Sequence, residues 1–139
     1  MTSNEQKIWK FLKAQGLTDA GVAGLMGNLY AESALNPTNL QNTFEKKLGY
    51  LDEAYTKAVD NGSYTNFVRD SAGYGLAQWT YWSRKEKLLK FAKENNKSIG
   101  DLTMQLNFLI AELKTGYSNL WKLLKTTNSV QEASNAVLF

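Results

Sequence analysis

The chain contains no cysteine and no histidine. Without histidine there is no Ser-His-Asp or Cys-His triad and no histidine-based zinc site. Without cysteine there is no disulfide scaffold, and the fold is indifferent to the redox state of its compartment. Proline occurs once and no stretch is compositionally biased, so nothing marks a disordered linker. The apolar runs are a few residues long, too short to cross a bilayer. The opening MTSNEQKIWK has neither an apolar signal-peptide core nor a cleavage site. Either the piece is cut from a longer chain or it leaves the cell by another route. Lysines and arginines are scattered, with no basic helix or zinc-finger spacing, so no nucleic-acid partner is indicated. The net charge of +3 tolerates an anionic polymer such as cell wall without specifying one.

What remains is 139 residues, enough for a single domain over 1–139 with a real core. Any chemistry must come from Asp, Glu, Ser, Thr, Tyr, Lys or Arg. The commonest plan without histidine, metal or cofactor is a carboxylate acting as general acid or base.

The pattern is mainly helical. Ser3 with Gln6 reads as a capping box before Ile8, Trp9, Phe11 and Leu12, and Gly16 closes that helix. Thr18 caps a second helix running to about Ala34, with Val22, Leu25, Met26 and Leu29 at helical spacing. Gly21, Gly24 and Gly27 recur inside it. Each costs about 1 kcal/mol against alanine, so the three together predict close backbone packing. Residues 38–48 read as irregular with a helical turn, and 51–59 as a short helix ended by Asn61-Gly62. Tyr64, Phe67 and Val68 favour strand and Ser71 to Gly75 favours turn, which predicts a small hairpin over 63–80. Ser83 with Glu86, Ser98, and Ser129 with Glu132 read as caps of three further helices, and a short helix covers about 119–124. The last helix meets the chain end at Phe139 without a stop signal, which suggests a larger parent chain.

Two stretches carry chemistry. In GNLYAESALNP, residues 27–37, Glu32 stands at the C-terminal end of the most apolar helix. The helix dipole and partial burial both disfavour a carboxylate there and favour the proton-holding acid. Position alone favours a glutamate that points outward or caps a loop backbone. In GYGLAQWTYW, residues 73–82, glycines, a glutamine and aromatics crowd together. Aromatic rings such as those of Tyr74, Trp79 and Tyr81 bind sugar faces, glutamine supplies a donor and an acceptor, and glycine admits close approach. An aromatic core edge around a tight turn would use the same residues, Trp79 and Leu76 in particular.

Together, AES-x-LNP and the downstream GYGLAQW resemble the glutamate-serine and glycine-leucine-x-glutamine motifs of the lysozyme superfamily. The chain is most similar to the phage tail lysozyme family, found in tail-tip proteins and wall hydrolases of mobile elements. The likeness runs from the glycine-rich helix through DNGSYTNFVRDSAGYGLAQWTYWSRKEKLLKFAK to DLTMQLNFLIAEL.

The resemblance implies a lysozyme-like α+β fold, mainly α, with the hairpin flanking a substrate groove. It implies Glu32 as the catalytic acid and Gln78 as the glutamine of the sugar site, with Tyr74 and Gly75 lining the groove beside it. Asp70 is the candidate second carboxylate. Trp79 and Tyr81 join the substrate-binding set. The implied reaction is cleavage of the β-1,4 bond between N-acetylmuramic acid and N-acetylglucosamine in peptidoglycan, at the cell wall or on a virion tail. The implied partners are glycan strands and other domains of the parent chain, with no membrane insertion. A lytic transglycosylase would need the same acid, and a wall-binding or tail-assembly module would keep the groove and need no acid.

Overall fold

The computed structural model describes residues 1–137. Eight helices lie among them: α1 (Ser3–Ala14), α2 (Asp19–Ser33), α3 (Asn42–Leu48), α4 (Asp52–Asp60), α5 (Trp82–Glu94), α6 (Leu102–Gly116), α7 (Ser118–Thr126) and α8 (Val130–Ala136). None of these helices is long and apolar enough to cross a membrane. The chain divides into two compact units, Met1–Leu35 with Leu109–Phe139, and Asn36–Phe108.

The first unit is built around α2, which packs against α1, α7 and α8. Thr18 starts α2 as expected. Its hydroxyl accepts from the Gly21 N–H (3.0 Å) and donates to the Thr127 carbonyl (2.6 Å), so one cap also ties the helix to the end of α7. Val22, Leu25 and Leu29 form the buried stripe, facing Ile8, Leu12, Leu17 and Leu124 in the same apolar core. A Cβ built at Gly21 would lie 2.0 Å from the Leu124 carbonyl oxygen, and one at Gly24 2.4 Å from the Ala133 Cβ. These two glycines are the close approaches that the spacing predicts. Gly27 is not a third: it is exposed, and a Cβ there meets nothing within 4 Å.

Three predicted caps shift. α1 is opened by Thr2 with Glu5, not Ser3 with Gln6: the Thr2 hydroxyl accepts from the Glu5 N–H (3.1 Å), and the Glu5 carboxylate accepts from the Thr2 N–H (3.2 Å). α5 begins at Trp82 behind Tyr81, with no side-chain cap, so Ser83 is already helical. Before α6, Asp101 accepts from the Met104 N–H (2.9 Å), while the Ser98 hydroxyl bonds to Asp60 and to the Gly100 N–H. Ser129 caps α8 as expected. α8 closes at Ala136, and Phe139, where the predicted helix runs out, lies outside the described residues.

In the second unit the hairpin expected over 63–80 does not form. Two isolated antiparallel bridges stand in its place, Leu40 with Tyr74 and Tyr74 with Trp79. The reason lies in where the backbone donors go. The Ala72 N–H donates to Asp70 (3.0 Å), the Gly73 N–H to the Gln41 side chain (3.0 Å), and the Leu76 N–H to the Gln105 side chain (3.0 Å). Side-chain oxygens occupy the donors that a ladder would need.

The α2 glycines generate a stability test. Gly21→Ala and Gly24→Ala should each destabilise the protein, by about 1–3 kcal/mol or more for an overpacked contact. Gly27→Ala should stabilise it by up to about 1 kcal/mol through helix propensity. Thermal unfolding of the three variants side by side checks this, and a uniform response would remove the packing argument.

Candidate functional site

Glu32 lies in the last turn of α2 with its side chain exposed, so the partial burial expected for it is absent. The helix beneath is buried through Leu25, Leu29 and Ser33. The Ser33 hydroxyl donates back to the Leu29 carbonyl (3.1 Å). Immediately afterwards the backbone turns through two non-glycine residues in the left-handed region, Ala34 (φ 54°) and Leu35 (φ 62°). Such residues cost on the order of 1–3 kcal/mol each. The buried Leu35 side chain and an Asn4 Nδ2 bond to the Leu35 carbonyl (3.4 Å) hold the turn. The carboxylate is thus presented at the tip of a rigid, well-packed helix.

The segment 73–80 is a closed loop. Tyr74 and Trp79 exchange both backbone bonds (3.1 and 2.9 Å), and Leu40 brackets Tyr74 through Gln41 N–H to the Gly73 carbonyl (2.8 Å) and Gly75 N–H to the Asn39 carbonyl (3.0 Å). Most of its predicted sugar-binding residues face inward. Tyr74 is fully buried, its ring against Tyr55 and Phe67 and its hydroxyl 2.6 Å from that of Thr56. Trp79 is fully buried with its ring edge-to-face on Phe108. Gly75 is buried at φ 84°, where a Cβ would press on the Gln105 amide and the Trp79 ring, each 3.0 Å away. Tyr74, Gly75 and Trp79 therefore build the loop's interior, not a sugar-facing surface. Gln78 is half-buried, and its Nε2 donates to the Asn39 and Gly75 carbonyls (2.9 and 3.0 Å), which makes it a brace of the loop. Tyr81 alone of this set is well exposed, at 63 %.

Asp70, the candidate second carboxylate, is buried. Its carboxylate side chain is 1 % exposed. One oxygen accepts from Lys85 Nζ (2.6 Å) and the Ala72 N–H (3.0 Å); the other accepts from the Tyr55 hydroxyl (2.6 Å) and the Tyr64 hydroxyl (2.8 Å). All four acceptor positions of the carboxylate are used. It has no place for a water to be activated.

Sequence reasoning missed the partner. Lys85 is fully buried, and its ammonium also donates to the Ala72 carbonyl (2.7 Å) and the Tyr55 oxygen (3.3 Å) beneath the Phe67 ring. The available signal was its register: Lys85, Leu88 and Ala92 share the buried face of α5. Burial lowers the Lys85 pKa, and Asp70 opposes that shift. Burial raises the Tyr55 and Tyr64 phenols above the usual range, and their bonds to Asp70 raise them further. Gln105 was missed too: fully buried, it bonds to the Leu76 N–H and donates to the Pro37 and Ile99 carbonyls (both 2.7 Å). Among the described residues no His/Cys/Asp/Glu cluster suited to a metal ion occurs.

Compared with known families, residues 3–139 match the family described as phage tail lysozyme. Morphogenesis protein 1 of Bacillus phage B103 is 31 % identical over 113 residues, which is 81 % of this chain and 24 % of that relative. The chain thus spans about a quarter of the relative's length.

Two measurements probe the buried network. Lys85→Met strands the Asp70 carboxylate, so unfolding in denaturant should show a loss of about 3–5 kcal/mol; an unchanged midpoint would mean that the pair is dispensable. The second concerns pH. Tyr64 has a raised folded pKa, so its stabilisation is complete below the ordinary phenol value of about 10 and is lost as pH rises above it. The stability gap between the native chain and Tyr64→Phe should therefore be flat below pH about 10 and narrow above it. Lys85, with a lowered pKa, acts in the opposite sense and is common to both proteins. A gap constant through pH about 11 would contradict the assignment.

Proposed function

The chain belongs to the phage tail lysozyme family, and from that premise we propose that it cleaves the β-1,4 bond between N-acetylmuramic acid and N-acetylglucosamine in peptidoglycan, with Glu32 as general acid. The observation that carries this reading is the exposed Glu32 carboxyl at the end of an immobilised helix, followed at once by the strained Ala34-Leu35 turn. Strain of that kind collects at functional sites, where the surrounding packing holds it. A glycan strand laid over the carboxyl would exclude water from around the scissile bond. Glu32 then gives its proton to the glycosidic oxygen, the C1–O bond breaks, and water adds to C1 and returns a proton to the Glu32 carboxylate, leaving a reducing end.

Asp70 has no role in this chemistry, because its oxygens are committed to Lys85, Ala72, Tyr55 and Tyr64. That observation favours one second reading. A lytic transglycosylase needs a single glutamate, acting first as acid and then as base, with the 6-hydroxyl of the muramic acid as nucleophile. Its product is an anhydro end in place of a reducing end.

Mass spectrometry of soluble products from purified peptidoglycan separates the readings: reducing ends support hydrolysis, anhydro ends support transglycosylation, and no product removes both. Glu32→Gln should lower cleavage by about two to four orders of magnitude, the usual worth of a general acid, with the unfolding midpoint unchanged. Near-native rates in a folded Glu32→Gln protein would remove Glu32 from the mechanism.

A further inference from the structure

Aromatic residues adjacent in sequence and both exposed need a reason. Tyr81 is 63 % exposed and Trp82 40 %, with ring centroids 6.0 Å apart and planes tilted by 37°. They form one wall of a pocket of about 320 Å³, whose other lining residues are Arg69, Ser71 and Thr80. The Arg69 guanidinium lies over the Trp82 ring, 4.7 Å from its centroid. Stacking engages the flat face of a guanidinium and leaves its edge N–H donors available for a carboxylate. Among the described residues no carboxylate of the chain pairs with Arg69. Ser71 is exposed and held at φ 61°, and the Thr80 hydroxyl spends its proton on the Gln78 carbonyl (2.9 Å), leaving its oxygen free to accept.

The pocket is built, not incidental. Arg69 and Ser71 flank Asp70, and Tyr81 and Trp82 begin the helix that carries Lys85. The buried Asp70–Lys85 pair therefore fixes both walls relative to each other. Each component matches part of one ligand: aromatic faces for the C–H face of a pyranose, hydroxyls for its polar edge, and an unpaired guanidinium for an anionic substituent.

We propose that this pocket is a subsite for a carboxylate-bearing amino sugar, with the pyranose on Tyr81 and Trp82 and, on Arg69, the free lactyl carboxylate of an N-acetylmuramic acid unit that carries no stem peptide. The assignment rests on the peptidoglycan reading above and adds what that reading lacks, a means of telling a peptide-free muramic acid unit from the neutral sugar beside it and from units whose lactyl carboxyl is tied up in a peptide amide. A neutral N-acetylglucosamine unit offers the same ring face and nothing to the guanidinium.

The test measures binding, not turnover. In the Glu32→Gln protein, two probes are titrated by calorimetry: a peptide-free tetrasaccharide of alternating N-acetylglucosamine and N-acetylmuramic acid, and the neutral tetrasaccharide of N-acetylglucosamine. The acidic probe should bind more tightly. Arg69→Gln should lose about tenfold or more on the acidic probe, as expected for a lost charge-assisted bond, and little on the neutral one. Arg69→Lys should recover part of the preference, and Tyr81→Ala should weaken both probes. Both positions are exposed, so the variants should keep the native unfolding midpoint. Equal affinity for the two probes, no binding of either, or an Arg69→Gln protein that keeps its preference would overturn the subsite. A chain that prefers the acidic probe through Arg69 and yet releases no wall products would keep the subsite and lose the proposed reaction. Wall cleavage without an Arg69-dependent preference would do the reverse.

Discussion

The buried pair of Asp70 and Lys85 is the constraint on which much of the Asn36–Phe108 unit depends. Taking two charges out of water is expensive, and their attraction repays the cost only when every remaining donor and acceptor is met. Here it is met: the ammonium donates three bonds, and the carboxylate accepts four, two from N–H groups and two from phenol hydroxyls. Closing that network requires Tyr55 from α4, Tyr64 and Ala72 from the intervening chain, and Lys85 from the first turn of α5. A hydrophobic cluster would tolerate small shifts of any of these. A saturated polar network does not, because a displaced member leaves a buried group unpaired. The pair thus acts as a locating device for backbone that has little regular structure of its own.

The contrast with the first unit is instructive. There the organising contact is steric. Gly21 and Gly24 bring the α2 backbone onto Leu124 and Ala133, and the Thr18 hydroxyl and the Asn28 amide stitch the same interface, Asn28 reaching the Ser134 carbonyl at 3.0 Å. Helix-on-helix packing of this kind needs a seam of small residues and few polar bonds. The result is a stiff support for the end of α2, where Glu32 stands.

Helices and their apolar stripes were legible from periodicity: α2, α4 and α8 lie close to where the pattern puts them, and Val22, Leu25 and Leu29 are buried as their spacing requires. The caps were less so, because serine and threonine near a helix start compete, and geometry decides between Thr2 and Ser3 or between Ser98 and Asp101. The family was legible in two short motifs. The roles inside them were not. GYGLAQW reads as a sugar surface because aromatics, glycine and glutamine also make sugar surfaces, yet Tyr74 and Trp79 are core and Gln78 braces the loop. Composition does not reveal which way a loop side chain points when the backbone follows no period. The buried pair was hard to see for a related reason: Lys85, the partner of Asp70, sits among Arg84, Glu86 and Lys87, and only its register with Leu88 and Ala92 separates it from solvated cations.

The loop over residues 73–80 is held largely by groups distant along the chain. Gln105 reaches Leu76 across 29 residues and Pro37 across 68, and Gln78 reaches Asn39 across 39. Non-local bonds of this kind form late, because closing long stretches of chain costs entropy before any contact repays it. During synthesis Gln105 leaves the ribosome after the whole loop has emerged, so its bonds to Leu76 and Pro37 are added to a loop whose other braces, from Asn39, Gln41 and Gln78, precede it in the chain.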